Sequence, residues 1–172
     1  MQSIPAPDVK EALRFTSRQL FFELAMHHHN YIVTQQLQAR QLPGQTSNDQ
    51  ARYFRTVVSH NYAMLALTLC KVMEFHGAFR QYLPESLRSE LDAINSRIAR
   101  SRILNYRNKF VGHLLDSKTK KPLDPGDIVS YWEALLDSQS EEEFRRWWWS
   151  TRQESDLNSV AGLMVRISDS VE

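Results

Sequence analysis

The chain is poor in the residues that staple a protein, span a membrane or give it a strong charge of one sign. It holds a single cysteine in 172 residues, so neither an intrachain disulfide nor a cysteine-built zinc site can form. That residue, Cys70, lies in the apolar run MLALTLCKVMEF and reads as a small core side chain. No window reaches the about 18 uninterrupted apolar residues that a membrane span requires. The start, MQSIPAPDVKEALRF, lacks the basic-then-apolar order of a secretory leader. A soluble cytoplasmic protein with no membrane association is the expectation. Lysine and arginine together number 21 against 20 acids, a net charge of +1. The molecule as a whole is therefore no electrostatic nucleic-acid binder, and any such role must come from local clustering.

The five glycines and six prolines fall mostly at a few punctuating positions, and the segments between them have helical periodicity rather than alternation. The spacing predicts a first helix that begins after Pro7, with Asp8 in its first turn, and ends at LPGQTSND. A second starts near Ser47 to Asp49 and carries Phe54, Val58, Leu65, Leu69, Val72 and Phe79. A third follows Pro84 along the seam Leu87, Leu91, Ile94 and Ile98 and continues toward Gly112. A short helix with Ile128, Trp132 and Leu135 comes next. After it stands SEEEFRRWWW, where Ser140 and Glu143 have capping-box spacing. A last helix carries Leu157, Ala161, Met164 and Ile167. With no internal repeat and no low-complexity tract, the expected fold is all-α: one domain over 1–172, an antiparallel bundle of about five or six helices. Its core spans about 8–116 and its C-terminal helices about 126–170.

The stretch NYRNKFVGHLLD, 105–116, raises a chemical question. Leu104, Arg107, Val111 and Leu114 share one helical face, so Arg107 interrupts an apolar stripe. A guanidinium buried without a partner is costly, and Arg107 should meet a carboxylate, an anion or a cleft formed with another subunit. Arg107 and His113 are about 600° apart along an ideal helix, hence roughly 120° in projection. Gly112 is a place where the helix can end or distort and re-aim His113. Basic residues gather here too. Between Asn95 and Lys121 stand Arg97, Arg100, Arg102, Arg107, Lys109, Lys118, Lys120 and Lys121 against the single acid Asp116. Such a surface attracts a phosphodiester backbone. The same pattern also fits a solvated helix face paired with acids elsewhere, such as Glu141 to Glu143.

Arg107 to His113, R-N-K-F-V-G-H, resembles the defining motif of the HEPN superfamily: an arginine, four to six residues, then a histidine, often with a polar residue directly after the arginine. The resemblance covers the bundle core. It implies a helical bundle and, as in many members, a metal-independent ribonuclease of the toxin or abortive-infection kind, whose active site combines the motifs of two protomers. A second spacing match, Arg55 to His60 in R-T-V-V-S-H, sits nearer the start of a long helix and lacks both the asparagine and the preceding glycine. The later match is preferred. Members paired with nucleotidyltransferase antitoxins carry a tyrosine two residues after the histidine, where this chain has Leu115. Regulation by tyrosine modification is therefore not implied.

On this reading Arg107, His113 and Asn108 are catalytic. His113 moves a proton near neutral pH, Arg107 stabilises charge on the phosphorane-like transition state, and Asn108 orients the histidine or a phosphate oxygen. Arg100, Arg102, Lys109, Lys118, Lys120 and Lys121 would hold RNA. No cofactor or metal is required, because RNA brings its own 2′-OH nucleophile. RNA, a second copy of the chain, and an antitoxin or other protein are the implied partners. The competing readings are that Arg107 and His113 only pin a helix end, or that the bundle binds RNA, a nucleotide or a protein without catalysis.

Three further groups stand out. His27, His28 and His29 fan by about 200° around a helix and cannot chelate one metal from one face, so structural or surface roles are expected. His76 reads as a satisfied core histidine, and nearby Glu74 as a possible partner for a bundle arginine. Trp147, Trp148 and Trp149 occupy adjacent positions that cannot all face one core. Subunit contact, a neighbouring helix and base stacking are the alternatives.

Overall fold

The structure, a computed structural model, describes residues 7–40, 48–101, 103–107, 133, 136, 139–150 and 159–171, the side chains of 48–55, 59, 105 and 106 excepted. All the regular structure among these residues is helical, as the periodicity predicts: α1 Pro7–Ala39, α2 Asn48–Phe79, a 3-10 turn Arg80–Tyr82, α3 Glu85–Arg100, α4 Ile103–Tyr106, α5 Glu141–Trp148 and α6 Val160–Asp169. Glu133 and Leu136, in the region of the expected short helix, are also helical. Ile128, Trp132, Leu135 and Leu157 lie outside the described residues.

Helices α1 and α2 form an antiparallel hairpin. Thr16, Gln19 and Leu20 lie beside Lys71, Phe75 and Phe79, Glu23 meets Lys71, His27 meets Thr68, and Thr34 lies beside Val58 and Asn61. Both helices send leucines inward: Leu13, Leu20 and Leu24 from one, Leu65 and Leu69 from the other, all essentially buried. Burying such a side chain stabilises by roughly 1.5–3 kcal/mol. Cys70 joins them, as its apolar context indicates.

α3 follows Pro84, with Glu85 in its first turn where a negative charge suits the helix dipole. Its predicted seam of Leu87, Leu91, Ile94 and Ile98 is buried. The expectation that it runs on unbroken is corrected at Ser101, where the chain turns before α4. The Ser101 hydroxyl donates to the Ile98 carbonyl at 2.6 Å, its N–H donates to the Arg97 carbonyl, and the residue is fully buried. A serine whose own side chain satisfies a helix-end carbonyl lets the helix stop without glycine or proline.

The C-terminal helix sits as deep as any other. Val160, Ala161, Leu163, Met164 and Ile167 of α6 are fully buried in the one hydrophobic cluster that α1, α2, α3 and α5 also line. Ser159 starts α6 by accepting from the Gly162 N–H at 3.0 Å. α6 is tied to α1 through the Arg18 side chain donating to Ser168 Oγ and to α3 through the Arg166 and Glu90 ion pair.

The capping box at α5 forms as the spacing predicts: Ser140 Oγ accepts from the Glu143 N–H, and the Glu143 carboxylate accepts from the Ser140 N–H at 2.8 Å. The tryptophan puzzle resolves because the helix ends at Trp148. Trp149 is extended, with φ −140° and ψ 121°, which turns it inward beside Trp148 instead of 100° farther round the helix. It stacks on Phe21 and His28. Trp147, half-buried, lies under the Arg97 guanidinium at 3.9 Å. All three tryptophans thus have intrachain neighbours.

Candidate functional site

Arg107 is the described member of the Arg-to-His motif. It follows α4 directly and is in π-helical rather than α-helical conformation, a widened turn that often marks functional positions. Its side chain does not enter the core. Arg107 Nη1 donates to Glu74 Oε1 at 2.7 Å, with 35% of the arginine side chain and 66% of the glutamate side chain exposed. The partner that an arginine on an apolar face requires is therefore Glu74, which the sequence suggests as a partner for some bundle arginine without saying which, and it comes from near the C-terminal end of α2, at the rim where α2 meets α4. Cys70 lies one turn below Glu74 on α2. Burial pushes its thiol up to about 11, against the nearby positive charge of Arg107, which draws it down. It is a neutral thiol at physiological pH and no nucleophile.

Asn108, His113, Gly112 and Leu115 lie outside the described residues, as do Arg102, Lys109, Lys118, Lys120 and Lys121. Arg100, on the last turn of α3, is exposed. Arg97 donates to the Gln139 side-chain oxygen at 2.6 Å. The acids that might have neutralised this basic stretch have partners of their own. Glu142 takes Arg145 and Arg146, and the hydrogen bond from Arg145 holds its carboxyl down at about 2. Glu143 caps α5, and Glu141 accepts from the Tyr62 hydroxyl at 2.6 Å.

A second ionic cluster occupies the same seam between α2 and α3. Asp92 accepts from Arg80 through Nε and Nη2, both at 2.6 Å, and contacts His76 Nε2 at 2.7 Å. These hydrogen bonds, Arg80 first, hold Asp92 far below the usual carboxylate range. His76 is thus satisfied as expected, but at the bundle's rim and by a carboxylate.

The rest of the polar chemistry lies between α1 and α2. Glu23 accepts from Lys71 at 2.7 Å and from the Thr68 hydroxyl at 3.0 Å. Burial alone would raise its pKa, but the hydrogen bonds from Lys71 and Thr68 and the lysine's charge outweigh that and lower it. Because the Thr68 proton goes to Glu23, the 2.9 Å contact between Thr68 Oγ1 and His27 Nε2 makes His27 the donor. His27 is buried and that burial lowers its pKa, which favours the neutral imidazole with its proton on Nε2, while the buried Nδ1 has no hydrogen-bond partner among the described residues. A small cleft of about 40 Å³ lies next to it, lined among others by Tyr31, Gln35, Tyr62, Glu141 and Trp148. Burial, then the bond to Glu141, raises the Tyr62 hydroxyl well above its ordinary value.

No known family model matches the chain, and no curated protein or solved structure matches it either.

Of the histidine triplet, His27 is therefore structural, His28 lies against Trp149, and His29 is exposed. The polar seam does have a signal in the sequence, beyond the three adjacent histidines. Gln19, Glu23, His27, Tyr31 and Gln35 follow one another at intervals of four, which draws one polar line along α1. Among the described residues no group of three or more histidines, cysteines and acids is arranged to hold a metal, and no helix is long and apolar enough to cross a membrane.

Proposed function

We propose that the chain is a HEPN-like, metal-independent endoribonuclease of the toxin or abortive-infection kind, with Arg107, Asn108 and His113 at a cleft completed by a second copy. The observation that carries the reading is the placement of Arg107: at the bundle surface, in a π-turn, anchored by an accessible carboxylate instead of being sunk in the core. A phosphate approaching that rim would exchange with Glu74 for the guanidinium, and Arg100 adds positive charge at the preceding helix end. Arginine can fork onto two phosphate oxygens at once.

In the reaction so read, a histidine base takes the proton of the RNA 2′-OH as its oxygen attacks the adjacent phosphorus. The bond from phosphorus to the 5′-oxygen breaks, and that oxygen receives a proton from an acid. Two copies supply two His113 side chains, enough for base and acid. Arg107 steadies the added negative charge in the transition state. The products are a 2′,3′-cyclic phosphate and a 5′-OH.

A second reading is a non-catalytic bundle that binds RNA, a nucleotide or a protein with the same face. It is favoured by the ion pair itself, since Glu74 already satisfies part of the guanidinium. The two readings separate in one experiment: cleavage of a mixed RNA pool by the purified protein in excess chelator, beside Arg107→Ala and His113→Ala, with product ends identified. Cleavage by wild type alone, leaving 2′,3′-cyclic ends, is the expected result. Salt-dependent RNA affinity without cleavage would support the binding module.

A further inference from the structure

The outward face of α1 carries an apolar line that no described residue covers. Phe15, Phe22, Met26, Val33 and Leu37 are between 37% and 68% exposed. Isolated exposed apolar residues are ordinary, but a contiguous line of them marks an interaction surface. Their successive spacings are seven, four, seven and four residues. Eleven residues make close to three full turns. The five side chains therefore fall within about 60° of one another around the helix and form a nearly straight stripe about 33 Å long. The buried line of Leu13, Leu20 and Leu24 occupies the other side of α1.

We infer that this face pairs two copies of the chain, antiparallel, about a two-fold axis beside position 24. A two-fold interface must be complementary to itself, and the middle of this stripe is. Turned end for end about that position, Phe15 faces Val33 of a second copy and Phe22 faces Met26, each pair occurring twice, while Leu37 comes opposite the exposed Glu11 near the stripe's end. The charges select the orientation. In the same register Asp8, at the start of the stripe, faces Arg40, at its end. Both are exposed, and neither makes an ion pair within the described residues. A parallel pair would instead set Asp8 against Asp8 and Arg40 against Arg40. Between the ends, Gln19 and Asn30 on the stripe's flanks carry no charge, Arg18 on the edge is already bonded to Ser168, and the one flanking acid, Glu11, stands one turn from Asp8 and thus near Arg40 of the second copy. The pairing rests on the proposed ribonuclease only in needing a second copy, and the outcomes separate the two: a dimer indifferent to Phe22→Lys overturns this face alone, whereas a monomeric wild type also removes the two-copy cleft.

The test is light scattering on the full chain at micromolar concentration. The expected mass is twice the 20.1 kDa of one chain. Phe22→Lys, at a position two-thirds exposed, is expected to give a monomer with unchanged helical circular dichroism and melting temperature. Asp8→Arg and Arg40→Asp should each weaken the dimer, and the double exchange should restore it. Mixed Phe22→Cys and Met26→Cys chains should form an intermolecular disulfide on oxidation that neither variant forms as readily alone. A monomeric wild type overturns the inference. So does a dimer indifferent to Phe22→Lys, or Phe22→Cys linking to itself as fast as to Met26→Cys. A stripe that binds lipid vesicles while the chain stays monomeric overturns it as well.

Discussion

Two seams of this bundle use the same side-chain chemistry to opposite ends. Between α1 and α2, a histidine, a threonine, a glutamate and a lysine form an ordered chain of hydrogen bonds with the imidazole buried and its proton position fixed. Between α2 and the α3 to α4 segment, Arg107 with Glu74, and Arg80 and His76 with Asp92, lie at the rim within reach of solvent. A buried donor whose acceptor is supplied by the protein, as Thr68 is for His27 Nε2, is held in one state, and to remove that acceptor destabilises the fold. An exposed pair contributes little to stability and exchanges its partners readily. The difference separates a histidine that holds helices together from an arginine whose ion pair stands where solvent reaches it.

The contrast can be broken from either side. The largest effect is expected from Thr68→Val, which keeps the shape but removes the hydroxyl linking His27 to Glu23. The loss should be about 1–3 kcal/mol, read by urea denaturation, because it leaves a buried N–H without an acceptor. A change below experimental error would mean that the buried seam is no more structural than the rim.

Acid should act on the same seam next. The folded protein lowers the pKa of His27 below its ordinary 6.5, so below that pH the unfolded chain takes up a proton that the folded one refuses. Stability is therefore full above about 6.5 and declines as pH falls toward the folded value. The decline in melting temperature from pH 7 to pH 5.5 should be reduced in His27→Gln.

A smaller loss, about 0.5–1 kcal/mol beyond the lost apolar area, should follow Trp147→Ala, which removes the ring beneath Arg97. Comparison with Trp147→Leu isolates the cation–π part. Least of all should be the stability effect of Glu74→Gln, within about 1 kcal/mol. That substitution releases a charge from the Arg107 pair and should tighten RNA binding measured at low salt. Weaker RNA binding would mean that Glu74 orients the arginine for its ligand instead of competing with it.

Much of the fold was legible because its signals are local. Ser140 and Glu143 cap α5 across three residues, Pro84 and Glu85 open α3, and the Leu87 to Ile98 seam follows from a period of 3.6. The break at Ser101 was not legible, since a serine has no special backbone preference and ends a helix here through its buried hydroxyl and the turn into α4. The tryptophan triplet misled for a similar reason: one extended residue after Trp148 changed which way Trp149 points. For the candidate site, the need of Arg107 for a partner could be read from its apolar face, but the 33 residues that separate it from Glu74 put their meeting beyond any local pattern.

The sequence by itself determined a helical protein without disulfides, the faces that helices α2, α3 and α6 bury, and the motif that makes Arg107 a candidate, because periodicity and capping act within a few turns of chain. The tertiary structure alone decided that His27 is locked between helices while Arg107 stands at the rim, and that the apolar line on α1 faces outward. Those outcomes depend on which residues distant in the chain arrive opposite one another, and helix packing, not local propensity, sets that.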